Sequence, residues 1–178
     1  METSCYDLIL DRRSCRSYLP DPLPRTLLSQ IVEAGLHAPT AMNRQLCRFF
    51  VITDRALLNS ISHAVSARLK RYAGKDCTYG APALVVVTAP ADHELAYQDT
   101  ACAMENMMLA AASLGVGSCW INQPYYISGD PDFRALFTPA GLGDGEQICA
   151  SLALGMPAAP LFPGRKEILP GRAVWLEG

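Results

Sequence analysis

One long apolar segment, between residues 94 and 114, constrains the fold of this chain more than any other feature. It is rich in Ala and Met and hydrophobic nearly all round, without the polar face of an ordinary surface helix. A helix of that kind must be covered on several sides. We therefore predict a helix from about Glu94 to Leu114 that lies centrally in the domain or is shared between subunits.

The longest apolar stretch overlaps the end of this segment and is too short to cross a membrane. It runs from Met107 to Ile121, is interrupted by Ser113, Gly115 and Gly117, and falls short of the roughly 20 residues that a spanning helix needs. The sequence therefore predicts no membrane partner. The placement of Gly115 and Gly117, between a helix and a strand, also differs from a dinucleotide fingerprint, and Gly115 is interpreted as a left-handed helix cap.

Four short runs are typical of buried strands, and helical patterns alternate with them. The strand runs are Phe49–Thr53, Ala83–Val87, Ser118–Ile121 and Gln147–Leu154. Asp54 and Asp130 are placed to cap helices, and Pro24 to begin one that stops near Gly35. A chain of 178 residues is one domain, so we predict a single α+β or α/β domain over residues 1–178.

The composition limits the kinds of partner that the protein is expected to bind and the cellular compartment in which it is expected. The net charge is −2, which supplies no field to hold a nucleic acid. Seven cysteines without a C-x-x-C pair argue against a metal site and predict reduced thiols in a cytoplasmic protein. The acidic start of the chain has no apolar segment typical of a secretory leader. Cys47 and Cys119 are either reactive thiols or small buried apolar side chains.

After Gly155 the chain changes character and predicts an extended arm over residues 156–178. Pro157, Pro160, Pro163 and Pro170 prevent regular helix, yet the segment also carries Leu161, Phe162, Ile168, Leu169 and Trp175. Such a tail is too apolar for a free linker and should lie in a groove, which could belong to a partner. With charged residues at only 18%, the composition also favours association.

Two short segments carry candidate binding chemistry. Residues 12–16, Arg-Arg-Ser-Cys-Arg, gather three guanidinium groups and a hydroxyl, which suits a phosphate monoester. The same cations could simply complement the end of a short helix. Residues 38–45, Ala-Pro-Thr-Ala-Met-Asn-Arg-Gln, offer two amides that can donate and accept at the edge of a heterocycle, or could merely form a turn.

Taken in order, these pieces resemble the FMN-dependent nitroreductase family. Residues 12–18 are similar to its R-R-S-x-R-x-[FY] opening, 38–45 to its A-P-[ST]-x-x-N-x-Q loop and 80–82 to its G-A-P strand entry. Further along, residues 105–111, 114–120 and 154–157 are similar to its E-N-[ML]-x-L-A-A, L-G-[LV]-G-[ST]-x-W and L-G-x-P motifs. The resemblance covers about residues 8–166.

The resemblance implies an α+β fold with a central mixed or antiparallel sheet, flanked by helices, in an obligate homodimer that exchanges its C-terminal arms. Two FMN molecules would lie at the interface, each touched by both protomers. The residues that it implies for FMN binding are Arg12, Arg13, Ser14 and Arg16 at the phosphate and ribityl oxygens, Pro39, Thr40, Asn43 and Gln45 at the ring system, Trp120, Ile121 and Asn122 along the isoalloxazine, and Arg165 or Lys166 as a late basic contact.

The implied activity is hydride transfer from NADH or NADPH through flavin N5 to a nitroaromatic, quinone or similar small electron-poor acceptor, by a two-step (ping-pong) mechanism. No side chain is assigned a catalytic role, because the flavin carries the chemistry. Two alternatives stay open: a flavin-binding or redox-reporting module without efficient turnover, and a reductase or dehalogenase specific for one metabolite.

Two local departures from the family pattern affect the expected site. Leu46-Cys47 replaces the usual Pro-Trp, and Asn122-Gln123 stands where larger members have an acidic residue and Gly. Because of these departures, the resemblance does not determine which group contacts flavin N5. It also does not determine the physiological substrate.

Overall fold

Four antiparallel strands form the central sheet of the computed structural model, which describes residues 4–162 and 164–176. The strands are β1 (Arg48–Ile52), β2 (Ala83–Pro90), β3 (Gly117–Ile121) and β4 (Glu146–Gly155), in the order β1-β2-β4-β3. Each neighbouring pair is antiparallel. The predicted α+β class is confirmed, and each predicted strand run coincides with a strand to within a few residues.

Within the described residues, six α-helices surround the sheet: α1 (Cys5–Asp11), α2 (Arg25–Leu36), α3 (Arg55–Arg68), α4 (Ala96–Ser113), α5 (Gln123–Tyr126) and α6 (Pro131–Ala135). The side chains of Asp54 and Asp130 accept hydrogen bonds from the first-turn amides of Leu57 and Phe133, as their positions predict. Helix α2 ends one residue beyond Gly35. Gly115 has a φ of 72°, which confirms the predicted left-handed cap after α4.

The sheet is buried on both faces, because side chains alternate along each strand. Val85 and Val87 of β2 face a cluster with α2 and α4, in which Met104 and Met107 are fully buried. Leu84 and Val86 face the opposite cluster, formed with α3, α5 and α6. The molecule thus has a helix–sheet–helix arrangement with two cores.

Helix α4 is central, as its all-round apolar sequence predicts, but one strip of it stays uncovered within the protomer. Nine of its residues are buried against α2 and the sheet. Ala101 and Cys102 are exposed on the strip that also carries Glu105 and the half-buried Leu109. No helix in the described parts of the chain is long and apolar enough to cross a membrane.

The chain beyond β4 first follows the segment after α1 and then leaves the core. The Leu19 amide donates to the Met156 carbonyl and the Ala158 amide to the Ser17 carbonyl. Residues 164–176 are exposed throughout and carry no helix or strand. Pro163 and the last two residues of the predicted arm, 177 and 178, lie outside the described residues.

Candidate functional site

The basic segment, residues 12–16, is fixed against the edge of the sheet. The Cys15 amide donates to the Ser118 carbonyl of β3 over 2.8 Å. The approach is so close that a Cβ added at Gly117 would lie 2.7 Å from the Cys15 sulfur and 3.2 Å from the Gly155 carbonyl oxygen. Gly117 therefore allows the basic segment to lie flat on the beginning of β3.

Two guanidinium groups of this segment present buried nitrogens that have no hydrogen-bond acceptor among the described residues. They are Nε of Arg12 and Nη2 of Arg13. Nη1 of Arg13 donates to the carbonyls of Leu10 and Arg12, at 2.9 and 2.7 Å, so Arg13 also completes the end of α1. Nε of Arg12 lies 3.6 Å from Oε1 of Glu105, beyond hydrogen-bond distance.

The observed contacts support the helix-end interpretation for Arg13, and the phosphate interpretation stays a prediction. The Arg13 side chain serves the helix end, whereas the remaining buried donors call for an anion. Burying a charged donor without an acceptor is costly. The cost is lowered when an anionic group binds at such a nitrogen, and the oxygens of a phosphate monoester are suitable acceptors.

A small cleft opens beside this segment. Its volume is about 240 Å³, and residues 13–17 and 159–161 line it. Ser14 and Arg16 are exposed at its rim. The Arg16 guanidinium carbon lies 6.0 Å from the centre of the Tyr79 ring, at the outer limit of a cation–π contact.

Tyr79 has an unusual backbone that an acidic turn holds in place. Its φ is 57°, a conformation that bulky residues rarely adopt. Asp76 accepts hydrogen bonds from the amides of Thr78 and Gly80, on either side of Tyr79, and from the Ser62 hydroxyl. The turn thereby keeps an aromatic ring beside Arg16. No sequence pattern indicates this backbone conformation at a tyrosine, because positive φ is expected mainly of glycine and asparagine.

The amide-bearing loop, residues 38–45, lines a second and larger cleft. The cleft has a volume of about 470 Å³. Its lining includes Thr40, Asn43, Gln45, Cys47, Phe49 and Asp99. Pro39 is exposed at the start of the loop. The side-chain Nε2 of Gln45 donates to Oδ1 of Asn43 over 2.9 Å. The backbone N–H of Gln45 donates to the Thr40 hydroxyl over 3.1 Å.

Part of the turn interpretation therefore holds as well, since Thr40 bonds the backbone of its own loop. The two amide side chains are nevertheless exposed, and their pairing leaves a donor on Asn43 and an acceptor on Gln45 at the surface. A flat heterocycle edge that both donates and accepts matches this pair.

Asp99, which no sequence pattern indicated, completes the wall of this cleft, and His93 contacts it. Oδ1 of Asp99 accepts a hydrogen bond from the Ala41 amide of the loop over 2.9 Å, and Oδ2 lies 2.9 Å from Nε2 of His93. Both side chains are buried. Their spacing of six residues spans a turn and the start of α4, so no helical periodicity connects them in the sequence.

Trp120 to Asn122 lie at the end of β3, whereas the basic segment contacts Gly117 and Ser118 at its beginning. Trp120 is half-buried, and its Nε1 donates to Oδ1 of Asn122 over 3.3 Å. Ile121 is fully buried, and its carbonyl accepts from the Ser151 hydroxyl over 2.6 Å. Only the backbone of Ile121 can therefore contribute to a ligand site.

Arg165 and Lys166 do not join the basic segment in the protomer. Arg165 pairs instead with two carboxylates of α1, at 2.7 Å from Asp7 and 3.0 Å from Asp11. Lys166 is exposed. The structure thus brings residues 12–16 to the beginning of β3, at Gly117 and Ser118, whereas the amide-bearing loop lines a separate cleft that shares no lining residue with the first.

Cys47 and Cys119, the two candidate reactive thiols, have raised pKa values. Burial raises the pKa of the Cys119 thiol, and burial raises that of Cys47, against a smaller opposing effect of the Thr100 hydroxyl. Raised pKa values disfavour the thiolate that nucleophilic chemistry needs. This favours the interpretation of both residues as packed, unreactive side chains.

These features define a class of protein: an α+β domain with two buried guanidinium nitrogens that lack a hydrogen-bond acceptor among the described residues, and with a separate amide-lined cleft. The family model described as Nitroreductase family matches residues 9–156, and the chain belongs to this family. The suspected resemblance is therefore confirmed over most of the chain, and the protein is an oxidoreductase.

Relatives and solved structures agree with this assignment. A protein of Archaeoglobus fulgidus named "Putative NADH dehydrogenase/NAD(P)H nitroreductase" is 29% identical over 157 residues, covering 86% of this chain and 85% of that protein. A nitroreductase from Bacteroides fragilis, crystallised with bound FMN, is 31% identical with a TM-score of 0.89, covering 98% of this chain and 99% of that one. An iodotyrosine deiodinase crystallised with FMN and 3-iodo-L-tyrosine shares the fold, at 21% identity and a TM-score of 0.72 over 96% of this chain and 100% of that one.

Proposed function

We propose that the protein is an FMN-dependent oxidoreductase that takes reducing equivalents from NADH or NADPH and passes them to a nitroaromatic, quinone or similar electron-poor small molecule. The single observation that carries this proposal is the pair of buried, acceptor-free nitrogens on Arg12 and Arg13. They fit a dianionic phosphate at the position where the family motif begins. The bound FMN of the B. fragilis relative supports the same cofactor here.

Different residues of this chain would contact different parts of the cofactor. Arg12, Arg13, Ser14 and Arg16 would bind the phosphate and ribityl oxygens. The amide pair of Asn43 and Gln45, with Thr40 and Pro39, would contact the ring system, and the strand end at residues 120–122 would lie along it. Arg165 and Lys166 would contribute positive charge from the arm.

When bound, FMN supplies the hydride exchange between donor and acceptor. The protein supplies binding, orientation and charge: guanidinium groups offset the phosphate charge, and the packed strand end and loop hold the ring in one place. No side chain in this arrangement is required to act as an acid or a base.

Because the two clefts share no residue within a protomer, we propose that the site is completed in a homodimer. The basic segment of one protomer and the amide-bearing loop of the other would enclose each FMN. The uncovered strip of α4 with Ala101 and Cys102 supports this arrangement, because small exposed residues on a central helix permit close approach of a second copy. The exposed apolar arm supports it independently.

Purified protein tests the proposal directly. We expect yellow protein. Its flavin absorbance, at about 450 nm, should be lost when NADH or NADPH is added without oxygen. We expect the absorbance to return on addition of a nitroaromatic or a quinone. Bound flavin that neither donor reduces would support a flavin-binding module instead, and colourless protein that FMN does not reconstitute would contradict the proposal.

The alternative of a metabolite-specific reductase or dehalogenase is separated by the choice of acceptor. Reduced protein that reoxidises with halogenated phenols, with release of halide, but not with nitroaromatics or quinones would favour it. The shared fold of the iodotyrosine deiodinase is compatible with this alternative and does not by itself select it.

A further inference from the structure

The amide-bearing loop has a strained backbone conformation. Met42, Asn43 and Gln45 have φ values of 50°, 54° and 52°. Residues with a Cβ rarely adopt this left-handed region, and three of them within four positions is a cost that the surroundings must offset. Residues 41–43 form a single 3-10 turn, so the loop needs a restraint at the beginning of that turn.

Asp99 supplies a restraint at that point. Its Oδ1 accepts the hydrogen bond from the amide of Ala41, the first residue of the turn. The carboxylate is buried, with a side-chain exposure of 6%, and it lines the same cleft as Thr40, Asn43 and Gln45. A buried acceptor that is bonded to a loop amide fixes the loop against α4, the most deeply packed helix in the protein.

His93 fixes the carboxylate in turn. Its Nε2 lies 2.9 Å from Oδ2 of Asp99, and its side chain is only 3% exposed. A buried carboxylate without a hydrogen-bond donor would be costly and free to rotate. With Oδ2 held by the imidazole, Oδ1 is directed at the loop. The two groups therefore act in series, from the turn before α4 to the turn that carries Asn43.

We propose that Asp99 and His93 are a positioning pair that sets the conformation of residues 38–45 and, through it, the hold of the protein on the flavin ring. This inference rests on the proposed function for its second half, the effect on FMN. Its first half, the restraint of the loop, concerns this chain alone and is measured separately.

The test compares Asp99→Leu, Asp99→Asn and His93→Gln with the wild type. Asp99→Leu removes the acceptor, whereas Asn retains an oxygen for the Ala41 amide and Gln retains a donor for Asp99. A matched control is Asp130→Ala, which removes another helix-associated carboxylate and its bond to the Phe133 amide, far along the chain from the loop. The control shows what general destabilisation does.

Two measurements are made on each protein. Hydrogen exchange reports the protection of the Ala41 amide, and the rise of flavin fluorescence on dilution of the loaded protein reports the rate of FMN release. We expect Asp99→Leu to lower the protection and to release FMN about tenfold faster, the effect of losing a charge-assisted hydrogen bond. We expect His93→Gln to stay near the wild type and Asp99→Asn to lie within about threefold of it; Asp130→Ala should change neither quantity.

The outcomes separate this inference from the proposed function. Unchanged protection of Ala41 in Asp99→Leu would overturn the restraint, and lowered protection with unchanged FMN release would overturn its effect on the flavin. Equal losses in Asp99→Leu and Asp130→Ala would reduce the pair to ordinary stabilisation. If the wild type binds no FMN, the proposed function fails with the second half of the inference, while the Ala41 exchange still decides the first half.

Discussion

At the scale of single residues, Arg12 places a cationic nitrogen inside the protein where no described residue accepts its hydrogen bond. Such a group favours the ligand-bound protein over the free one, because the Glu105 carboxylate, 3.6 Å away, makes no hydrogen bond to it, whereas a bound anion can make one. Stability and binding should therefore respond with opposite signs to its removal.

We expect Arg12→Leu to raise the unfolding free energy of the flavin-free protein by about 1 kcal/mol and to weaken FMN binding by about one to two orders of magnitude. The leucine keeps apolar volume and removes the unpaired donor. Urea unfolding and FMN titration measure the two effects. Arg25→Leu, an exposed arginine in the first turn of α2, is the control and should leave FMN binding unchanged. Loss of stability together with unchanged FMN affinity would contradict the assignment of Arg12.

Asp76 sets a pH dependence through the turn that holds Tyr79. Burial raises the pKa of Asp76, but hydrogen bonds from Thr78, Ser62 and Gly80 outweigh it, and the pKa lies below its ordinary value of 3.8. A carboxylate whose pKa is lowered by folding adds stability above that ordinary value and loses it as the pH falls through the lowered folded-state pKa.

We therefore expect Asp76→Asn to be less stable than the wild type by about 1 kcal/mol at pH 7, and the difference to shrink below about pH 4 as the wild-type carboxylate is protonated. Urea midpoints at pH 7, 5 and 3 measure it. Asp144→Asn, in an exposed turn, should show no such difference. A difference that is constant from pH 7 to pH 3 would rule out the charged form of Asp76 as the cause.

At the scale of elements, the contact between the basic segment and β3 depends on the absence of a side chain at Gly117. A Cβ there would lie 2.9 Å from Cβ of Cys15 and close to the Gly155 carbonyl, and neither neighbour is the end of a flexible side chain. The strand can accept a methyl group only if the basic segment moves away from it.

We expect Gly117→Ala to lower the unfolding free energy by about 1–3 kcal/mol, the usual cost of overpacking, and to weaken FMN binding because residues 12–16 shift. Thermal unfolding and FMN titration measure this. Gly129→Ala is the matched control, since a Cβ at Gly129 would meet nothing within 4 Å. FMN binding that survives Gly117→Ala unchanged would show that the placement of the segment on β3 is not needed.

The elements of this fold were largely predictable, and their assembly was not. Local chemistry determined the helix starts, since Asp54 and Asp130 bond amides within their own first turns. The strand order β1-β2-β4-β3 depends on which apolar faces meet in the two cores, a contact between distant residues that no local pattern encodes. The basic segment and the loop were recognised for the same reason that the helix starts were: their chemistry is local.

The sequence did not predict the contacts that hold the candidate site in its conformation. The bond from Asp99 to Ala41 joins residues 58 positions apart, and Tyr79 adopts a backbone that its residue type disfavours. Both depend on the packed structure and leave no trace in composition or periodicity. Arg165, which the family resemblance implied as a late basic contact, pairs within the protomer with two carboxylates of α1, Asp7 and Asp11.

At the scale of the whole molecule, the protomer exposes more surface than its mass accounts for. A compact chain of 19.3 kDa should expose about 8,500 Å², whereas this one exposes 10517 Å². The arm contributes to the difference: Val174, Trp175 and Leu176 are 79%, 82% and 96% exposed. Apolar side chains on an extended segment are the expected outcome if their partner surface belongs to a second copy.

We expect removal of residues 164–178 to weaken the dimer by at least about a hundredfold and to release FMN, because fully burying each large apolar side chain stabilises by about 1.5–3 kcal/mol. Sedimentation at several concentrations measures the first effect and flavin absorbance the second. Iodide quenching provides an independent measurement, because Trp175 should be shielded in the dimer. Trp175→Phe leaves Trp120 as the remaining tryptophan, and the quenching of Trp120 should be little changed. A truncated protein that stays dimeric and retains its flavin, or a Trp175 that iodide reaches as freely as it reaches free tryptophan, would show that the arm does not bind the partner.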